Sequence, residues 1–218
     1  MSLRKLAGVS GCCSPTDYRR LFSRKFAARD LKRYRKRGLT GTSRALVDLA
    51  GDVSGASVLD VGGGIGAIEL ELLERGAERA TNVELSGGYE EAAAELLAER
   101  GVEERVERRV ADFVAEPVAV HDVVVMHRVI CCYPDVDALV GTAAAHTSHR
   151  LLVTYPQEHA WIRAGLRAVN LWLRLSRCGF RAYVHPVARI VQAAEAEGLR
   201  LVRRERNGLM WESAAFAR

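Results

Sequence analysis

A cluster of glycines beside one acidic residue is the segment of this sequence most suited to holding a ligand. Residues 58–72 read VLDVGGGIGAIELEL, and Asp60 precedes the glycines. The glycines are Gly62, Gly63, Gly64 and Gly66. Glycines at a strand-to-helix turn let a ligand approach the backbone closely. A Walker phosphate loop needs a Lys and then a Ser or Thr after its last glycine, but Ala67 and Ile68 stand there. The segment therefore predicts a binding site for a nucleotide-like ligand, and it does not match a Walker phosphate loop.

Two ligands fit this turn. A dinucleotide turn, G-x-G-x-x-G/A, matches Gly62, Gly64 and Ala67, and Glu84 stands about where a ribose-binding acid belongs. S-adenosylmethionine instead carries an ammonium and a sulfonium but no pyrophosphate, so it favours acidic side chains. Asp60 lies where a dinucleotide-binding protein normally has an apolar residue, which favours the cationic ligand. On this segment alone, both ligands remain open.

Strands and helices alternate along most of the sequence, which indicates a parallel sheet with helices on both faces. Asn207-Gly208 lies between the last two predicted strands and is a strong hairpin signal. The predicted strands cover 56–63, 80–85, 105–113, 121–130, 150–155, 199–207 and 208–217, and the helices cover 14–37, 42–51, 67–76, 89–101, 159–175 and 187–197. The sequence therefore predicts an α/β fold with a doubly wound, Rossmann-like, seven-stranded sheet that ends in an antiparallel hairpin.

Four motifs occur in the order found in class I S-adenosylmethionine-dependent methyltransferases. They are VLDVGGGIG, VELS at Val83–Ser86, ADF at Ala111–Phe113 and HDVVVMHRVICCYPD from His121. With the terminal hairpin, residues from about 42 to 218 resemble that family, and loosely resemble its magnesium-protoporphyrin and ubiquinone-type O-methyltransferases. The resemblance implies an enzyme with S-adenosylmethionine as its cofactor and no metal. It also implies a basic helical lid at 1–41 and a methyltransferase domain at 42–218 with a helical insertion at about 157–180.

The resemblance also implies contacts to the cofactor. Asp60 and the glycine backbone would hold the methionine end, and the carboxylate of Glu84 would accept from both ribose hydroxyls. Leu85 would pack on the adenine, and Asp112 would accept from the adenine amino group. The predicted cofactor-binding residues are Asp60, Gly62, Gly63, Gly64, Gly66, Glu84, Leu85, Ser86, Asp112, Phe113, His127 and Arg128.

The loop after the fourth strand sets the methyl acceptor, and here it reads HRVICCYPD. It lacks the [DNS]-P-P-[YFW] pattern of nucleobase amino-methyltransferases, which disfavours nucleobase amino-methylation. The resemblance implies a small-molecule acceptor. The predicted catalytic residues are His127, Cys131, Cys132 and Tyr133. Further candidates for the wall of the acceptor site are Tyr18, Phe22, Tyr155 and His185.

The paired cysteines allow an alternative acceptor. Under an N-terminal lid, Cys12-Cys13 could approach Cys131 and Cys132, and thiolates prefer soft partners such as a thiol or trivalent arsenic. Cysteine is also a small hydrophobe, and packing is the favoured interpretation. Two alternatives of other classes stay open, an NAD-type oxidoreductase and a non-catalytic S-adenosylmethionine-binding module.

Charge and hydropathy bound the partners. Residues 1–40 hold 12 of the 32 Lys and Arg residues but 2 of the 27 acidic residues. This charge predicts a solvated face first, then contact with an acidic substrate, and last contact with RNA phosphates. The sequence has no uninterrupted apolar run of membrane-spanning length and no signal-peptide pattern, so a cytoplasmic location is expected. The amphipathic helix at 159–175 allows peripheral contact with a membrane. The oligomeric state is not predicted.

Overall fold

Seven strands form one sheet through the middle of the protein, whose structure is a computed structural model. The structure describes Tyr18, residues 21–116 and residues 118–218. The strands are β1 (Ser57–Val61), β2 (Arg79–Glu84), β3 (Val106–Val110), β4 (His121–His127), β5 (Thr147–Pro156), β6 (Arg200–Asn207) and β7 (Trp211–Ala217). Their order is β3-β2-β1-β4-β5-β7-β6, in which β1 to β5 are parallel and β7 is antiparallel to β5 and β6. The predicted fold class is confirmed.

Seven α-helices flank the sheet in the part of the chain that the structure describes. They are α1 (Arg24–Arg37), α2 (Thr42–Ala50), α3 (Ala67–Glu74), α4 (Glu90–Arg100), α5 (Val136–Ala145), α6 (Ala160–Leu175) and α7 (Val187–Ala196). Helix α5 was not predicted, because its apolar and small residues show little amphipathic periodicity. Its start did carry a signal, since the Asp135 carboxylate accepts from the Ala138 N–H at 3.1 Å and caps the helix.

The prediction of one continuous N-terminal helix from Ser14 to Arg37 is wrong, because the helix is interrupted. Its first residues lie outside the described part of the chain, and the described part is interrupted at Ser23, which has an extended backbone (φ −88°, ψ 166°). The hydroxyl of Ser86 donates to the carbonyl of Phe22 at 2.6 Å. This bond occupies an acceptor that a continuous helix would use, and α1 therefore begins at Arg24.

Alternate residues of the central strands point to two separate apolar layers. Val58 and Leu152 pack with α1 to α4 on one face, and Leu59 and Leu151 pack with α5 and α7 on the other. Because helices cover both faces of the sheet, β1 is buried along its whole length. A ligand can therefore approach this strand only at its carboxyl end. The described helices include none that is long and apolar enough to cross a membrane.

The terminal hairpin has a three-residue loop. Asn207 pairs with Trp211, and Gly208, Leu209 and Met210 form the turn, with φ +71° at Gly208. The final strand was predicted from residue 208 and begins at Trp211 instead, because the turn consumes these three residues.

Candidate active site

A cavity of about 520 Å³ opens at the carboxyl ends of β1, β2 and β4, and α1 forms part of its wall. Parallel strands bring their carboxyl ends to one edge of a sheet, which is where open α/β folds bind ligands. The predicted site residues that line the cavity are Asp60, Gly62, Gly63, Gly64, Glu84, Leu85, Asp112, Phe113, His127, Arg128, Cys132, Tyr133, Tyr18 and Phe22. The predicted residues outside its lining are Gly66, Ser86, Cys131, Tyr155 and His185.

The glycine loop is a turn that larger residues would obstruct. Gly62 and Gly64 have φ values of +65° and +59°, in the left-handed region that favours glycine. A Cβ atom on Gly62 would lie 2.6 Å from a methyl group of Val129. A Cβ atom on Gly63 would lie 2.6 Å from the carboxyl carbon of Asp60. The loop backbone therefore packs closely against Val129 and Asp60, and Gly66 follows it as the N-cap residue of α3.

Asp60 presents a buried carboxyl group that makes no hydrogen bond to a side chain in the described part of the chain, although the nearby Glu69 N–H acts to lower its pKa. Its side chain is fully buried. Burial, and then the charge of Glu69, raises the pKa of Asp60 well above its usual range. A buried, unpaired carboxyl group is costly unless a bound ligand supplies a donor or a positive charge. This feature fits the ammonium of the predicted cofactor better than a pyrophosphate.

Glu84, the last residue of β2, is held by two backbone donors. Its two oxygens accept from the Gly64 N–H at 3.1 Å and from the Ser86 N–H at 2.9 Å. Burial raises the pKa of Glu84, and these backbone donors act in the opposite direction. Each oxygen retains a lone pair, so the carboxylate can still accept from two hydroxyl groups of a ligand. Ser86 is buried behind the wall, where its hydroxyl bonds the carbonyl of Phe22.

A buried polar network beneath the glycine loop was missed by sequence reasoning. Arg108 of β3 donates to the Gly64 carbonyl at 2.9 Å and to Glu90 at 2.9 Å, and its other terminal nitrogen lies 3.7 Å from Glu69. Asn82 of β2 donates to Glu69 at 2.6 Å. Burial raises the pKa of Glu69 to about 7, against the opposing effects of Arg108 and Asn82. The signal in the sequence was weak, because AIELEL also contains Glu71 and ATNVEL also contains Thr81 and Glu84.

His127, at the end of β4, is a neutral imidazole at physiological pH. A hydrogen bond of 2.8 Å joins its Nε2 to the hydroxyl of Thr42, the first residue of α2. Burial, and then the positive charges of Arg128 and Arg33, lowers the pKa of His127 to about 3. A general base with so low a pKa removes protons poorly near neutral pH. His127 is therefore suited to packing and hydrogen bonding rather than to proton removal.

We expect His127 to stay neutral between about pH 5 and pH 8. We expect this because the pKa of His127 is lowered by the loss of hydration on burial and by two nearby arginines. Long-range ¹H–¹⁵N NMR spectra of the ¹⁵N-labelled protein would show no change of the His127 ring signals across this range. The variant His127→Gln assigns those signals by their disappearance. A titration with its midpoint near the ordinary value of 6.5 would contradict the interpretation.

The loop after β4 turns sharply toward the cavity. Arg128 has φ +60°, a left-handed conformation that is uncommon for a residue with a side chain and that often marks a functional loop. Its guanidinium carbon lies 4.6 Å from the ring centre of Trp211. The sulfur atoms of Cys131 and Cys132 lie 3.5 Å apart, and both approach the carbonyl of Arg128. Only Cys132 of this pair lines the cavity, and Cys12-Cys13 lies outside the described residues.

The remaining aromatic and histidine candidates divide into two groups. Tyr133 lines the cavity, and its hydroxyl donates to the carboxylate of Asp112 at 3.4 Å. A hydrogen bond of 2.9 Å joins the Nε2 atom of His185 to the backbone carbonyl of Tyr133. Tyr155 lies instead in the apolar layer with α5 and α7, where its hydroxyl donates to Glu212 at 2.7 Å. The structure therefore brings Tyr133 to the site and leaves Tyr155 away from it.

Several solved structures share this fold. Magnesium protoporphyrin IX methyltransferase from Synechocystis PCC 6803, solved with bound S-adenosylmethionine, is 17% identical with a TM-score of 0.65, over 93% of this chain and 90% of that one. Geranyl diphosphate C-methyltransferase from Streptomyces coelicolor A3(2), solved with S-adenosyl-L-homocysteine, is 14% identical with a TM-score of 0.66, over 81% and 77%. An S-adenosylmethionine-dependent methyltransferase from Mesorhizobium loti is 16% identical with a TM-score of 0.63, over 80% and 96%.

The comparisons identify the class of enzyme. A search of curated proteins finds no significant match to the sequence. The predicted S-adenosylmethionine-dependent methyltransferase and its cofactor are confirmed, whereas the NAD-type oxidoreductase, the non-catalytic module and the soft acceptor gain no support. A family model described as "Methyltransferase domain" matches residues 27–203. The chain therefore belongs to the methyltransferase domain family.

Proposed function

We propose that the protein transfers a methyl group from S-adenosylmethionine to a small molecule bound in the cavity next to His127 and Tyr133. The observation that carries the proposal is the buried carboxyl group of Asp60 beside the glycine loop, which makes no hydrogen bond to a side chain in the described part of the chain. This arrangement suits a ligand with a positive charge that also passes close to the backbone.

The cofactor side of the cavity follows the strand ends. In the proposal Asp60 binds the ammonium, the backbone at Gly62 and Gly64 contacts the methionine end, and Glu84 accepts from the ribose hydroxyls. Asp112 and the backbone amide of Phe113 hold the adenine. The cofactor supplies a methyl group that is already activated by its sulfonium.

The acceptor side of the cavity is mostly aromatic. Tyr18, Phe22, Phe26 and Tyr133 line it, and Cys132 lies among them. Because His127 has a pKa of about 3, we infer that this wall aligns the acceptor with the methyl group and that His127 does not take a proton from it. Helix α1 packs Leu31 and Tyr34 into the core while the same segment lines the cavity, which supports the proposed role of residues 1–41 as a cover.

A labelling experiment tests the proposal. The purified protein is incubated with S-adenosylmethionine that carries a labelled methyl group and with a cell extract divided into small-molecule, protein and RNA fractions. We expect the label in one or more small molecules, and we expect the variant Asp60→Asn to reduce it strongly. Asp52→Asn is a control, because Asp52 is an exposed acid that bonds Ser54 and lies outside the cavity lining. Label recovered only in protein or RNA would contradict the proposal.

A further inference from the structure

Helix α6 exposes an unusual amount of apolar surface. Only Ile162 and Leu173 of its 16 residues are buried. Its exposed large apolar side chains include Trp161 at 53%, Trp172 at 65% and Leu175 at 75% exposure. Trp161 and Trp172 are separated by about three helical turns and therefore lie on one line along the helix. Two large aromatic side chains on the exposed side of one helix indicate a contact surface, since a solvated helix normally presents polar residues on its exposed side.

The tip of the β6–β7 hairpin extends this surface. Leu209 and Met210 are also exposed, at 83% and 44%. The backbone N–H of Gln157 donates to the Met210 carbonyl at 2.8 Å, so the hairpin tip is fixed next to the residues that lead into α6. The apolar patch consists of Trp161, Val169, Leu171, Trp172, Leu175, Leu209 and Met210. These are seven of the ten exposed large apolar residues in the described part of the chain, so the exposure is concentrated and not scattered.

Arginines border the apolar patch. Helix α6 carries Arg163, Arg167 and Arg174 and no acidic residue, and Arg177 and Arg181 follow it. Arg163 is paired with Glu158 at 3.0 Å, just before the helix. A helix with tryptophans along one edge of its exposed apolar surface and arginines along the opposite edge has the composition of helices that lie in a membrane interface. A second copy of this face would bring more arginines and no acid from α6, so its charge complements anionic lipid better than itself.

We propose that α6 and the hairpin tip dock the protein on an anionic membrane surface, with Trp161 and Trp172 at the level of the lipid headgroups. The arginines then lie beside the lipid phosphates, and their aliphatic stems cover the edge of the apolar patch. This docking surface does not depend on the proposed function.

The docked helix is connected to the acceptor side of the cavity. The side chain of Asn170 in α6 bonds both the N–H and the carbonyl of Ala182, at 2.9 and 2.8 Å. The N–H of Tyr183 donates to the carbonyl of Cys131 at 2.8 Å. Phe180 packs edge-on against the aromatic rings of Tyr18 and Phe22 in the cavity wall. On the proposed function, this connection places the aromatic wall near the lipid and suits an acceptor of low water solubility.

Vesicle co-sedimentation of the full chain tests the docking surface. We expect binding to vesicles of phosphatidylcholine with phosphatidylglycerol, and at least about tenfold weaker binding to phosphatidylcholine alone. The variant Trp161→Ser/Trp172→Ser is expected to weaken binding to the anionic vesicles by about tenfold or more. The control Val110→Ser/Val202→Ser removes two exposed apolar side chains from other surfaces and is expected to bind as the unchanged protein does.

Four results would overturn the docking surface. The first two are that the unchanged protein does not sediment with anionic vesicles, or that the double tryptophan variant sediments equally well. The third is a concentration-dependent dimer that the tryptophan substitutions dissociate, since the patch would then bind a second copy. The fourth is a clear fall in the Tm of the variant without vesicles, since another segment of the chain would then cover the patch. Titration with S-adenosylhomocysteine keeps this test separate from the proposed function, because we expect both double variants to bind it unchanged.

Discussion

Replacement of Glu84 by Gln is expected to weaken the binding of S-adenosylhomocysteine by about a hundredfold or more. The carboxylate accepts from two backbone N–H groups, so both oxygens are already oriented toward donors. In Gln, one of these oxygens becomes an NH₂ group that faces a backbone donor, and the negative charge is lost. Two charge-assisted bonds to ribose hydroxyls would each contribute about 1.5–3 kcal/mol, which gives the size of the expected loss. Isothermal titration calorimetry with S-adenosylhomocysteine measures it.

The same substitution at the other end of β2 is the matched control for Glu84→Gln. Glu78 lies just before the amino end of the strand, where its exposed carboxylate pairs with Arg79. We expect Glu78→Gln to bind S-adenosylhomocysteine as the unchanged protein does. An affinity of Glu84→Gln within about twofold of the unchanged protein would refute the ribose role. The thermal unfolding of both variants separates a loss of binding from a loss of folding.

The sequence predicted those parts of the fold that depend on local patterning. The alternation of apolar strands and helices, together with Asn207-Gly208, was enough for the parallel sheet and its antiparallel end. The ordered motifs were enough to bring Asp60, Glu84 and His127 to one edge, because each is the last or the last but one residue of a parallel strand. Local patterning sufficed here, since parallel strands place their carboxyl ends at the same edge of a sheet wherever the helices lie.

Tertiary contacts decided the features that the sequence did not predict. The interruption at Ser23 depends on a hydrogen bond from Ser86, which is far away in the chain, whereas the local sequence is helical in character. The side chain of Tyr155 points into the layer with α5 and α7 because strand residues alternate between faces, and its proximity to the end of β5 did not reveal that orientation. Arg108 is part of VERRV, a charged segment typical of an exposed edge strand. Its partner Glu69 is a buried residue of α3, so neither segment indicates the pair.

The Arg108→Met variant is expected to lower the free energy of unfolding by about 1–3 kcal/mol at neutral pH. The side chain of Arg108 is 10% exposed and faces Glu69, which is fully buried. Removal of the guanidinium leaves this carboxyl group without the cation beside it and leaves the Gly64 carbonyl without its donor. Because the glycine loop rests on that bond, we also expect weaker binding of S-adenosylhomocysteine. Urea unfolding measures the stability, and Arg79→Met, at an exposed arginine of β2, is the matched control.

The pH dependence of this variant distinguishes the loss of a buried charge pair from a simple loss of packing. The pKa of Glu69 is about 7 in the folded protein, above its ordinary value of 4.5, so the folded state binds the proton more tightly than the unfolded state does. Stability contributed by this group therefore falls as the pH rises from about 4.5 to 7, and the loss is larger without the opposing charge of Arg108. We expect Arg108→Met to be more destabilising at about pH 8 than at about pH 5, and Glu69→Gln/Arg108→Met to lose that difference. Equal destabilisation at both pH values would show that Arg108 supports the glycine loop by its contacts alone, without a charge on Glu69.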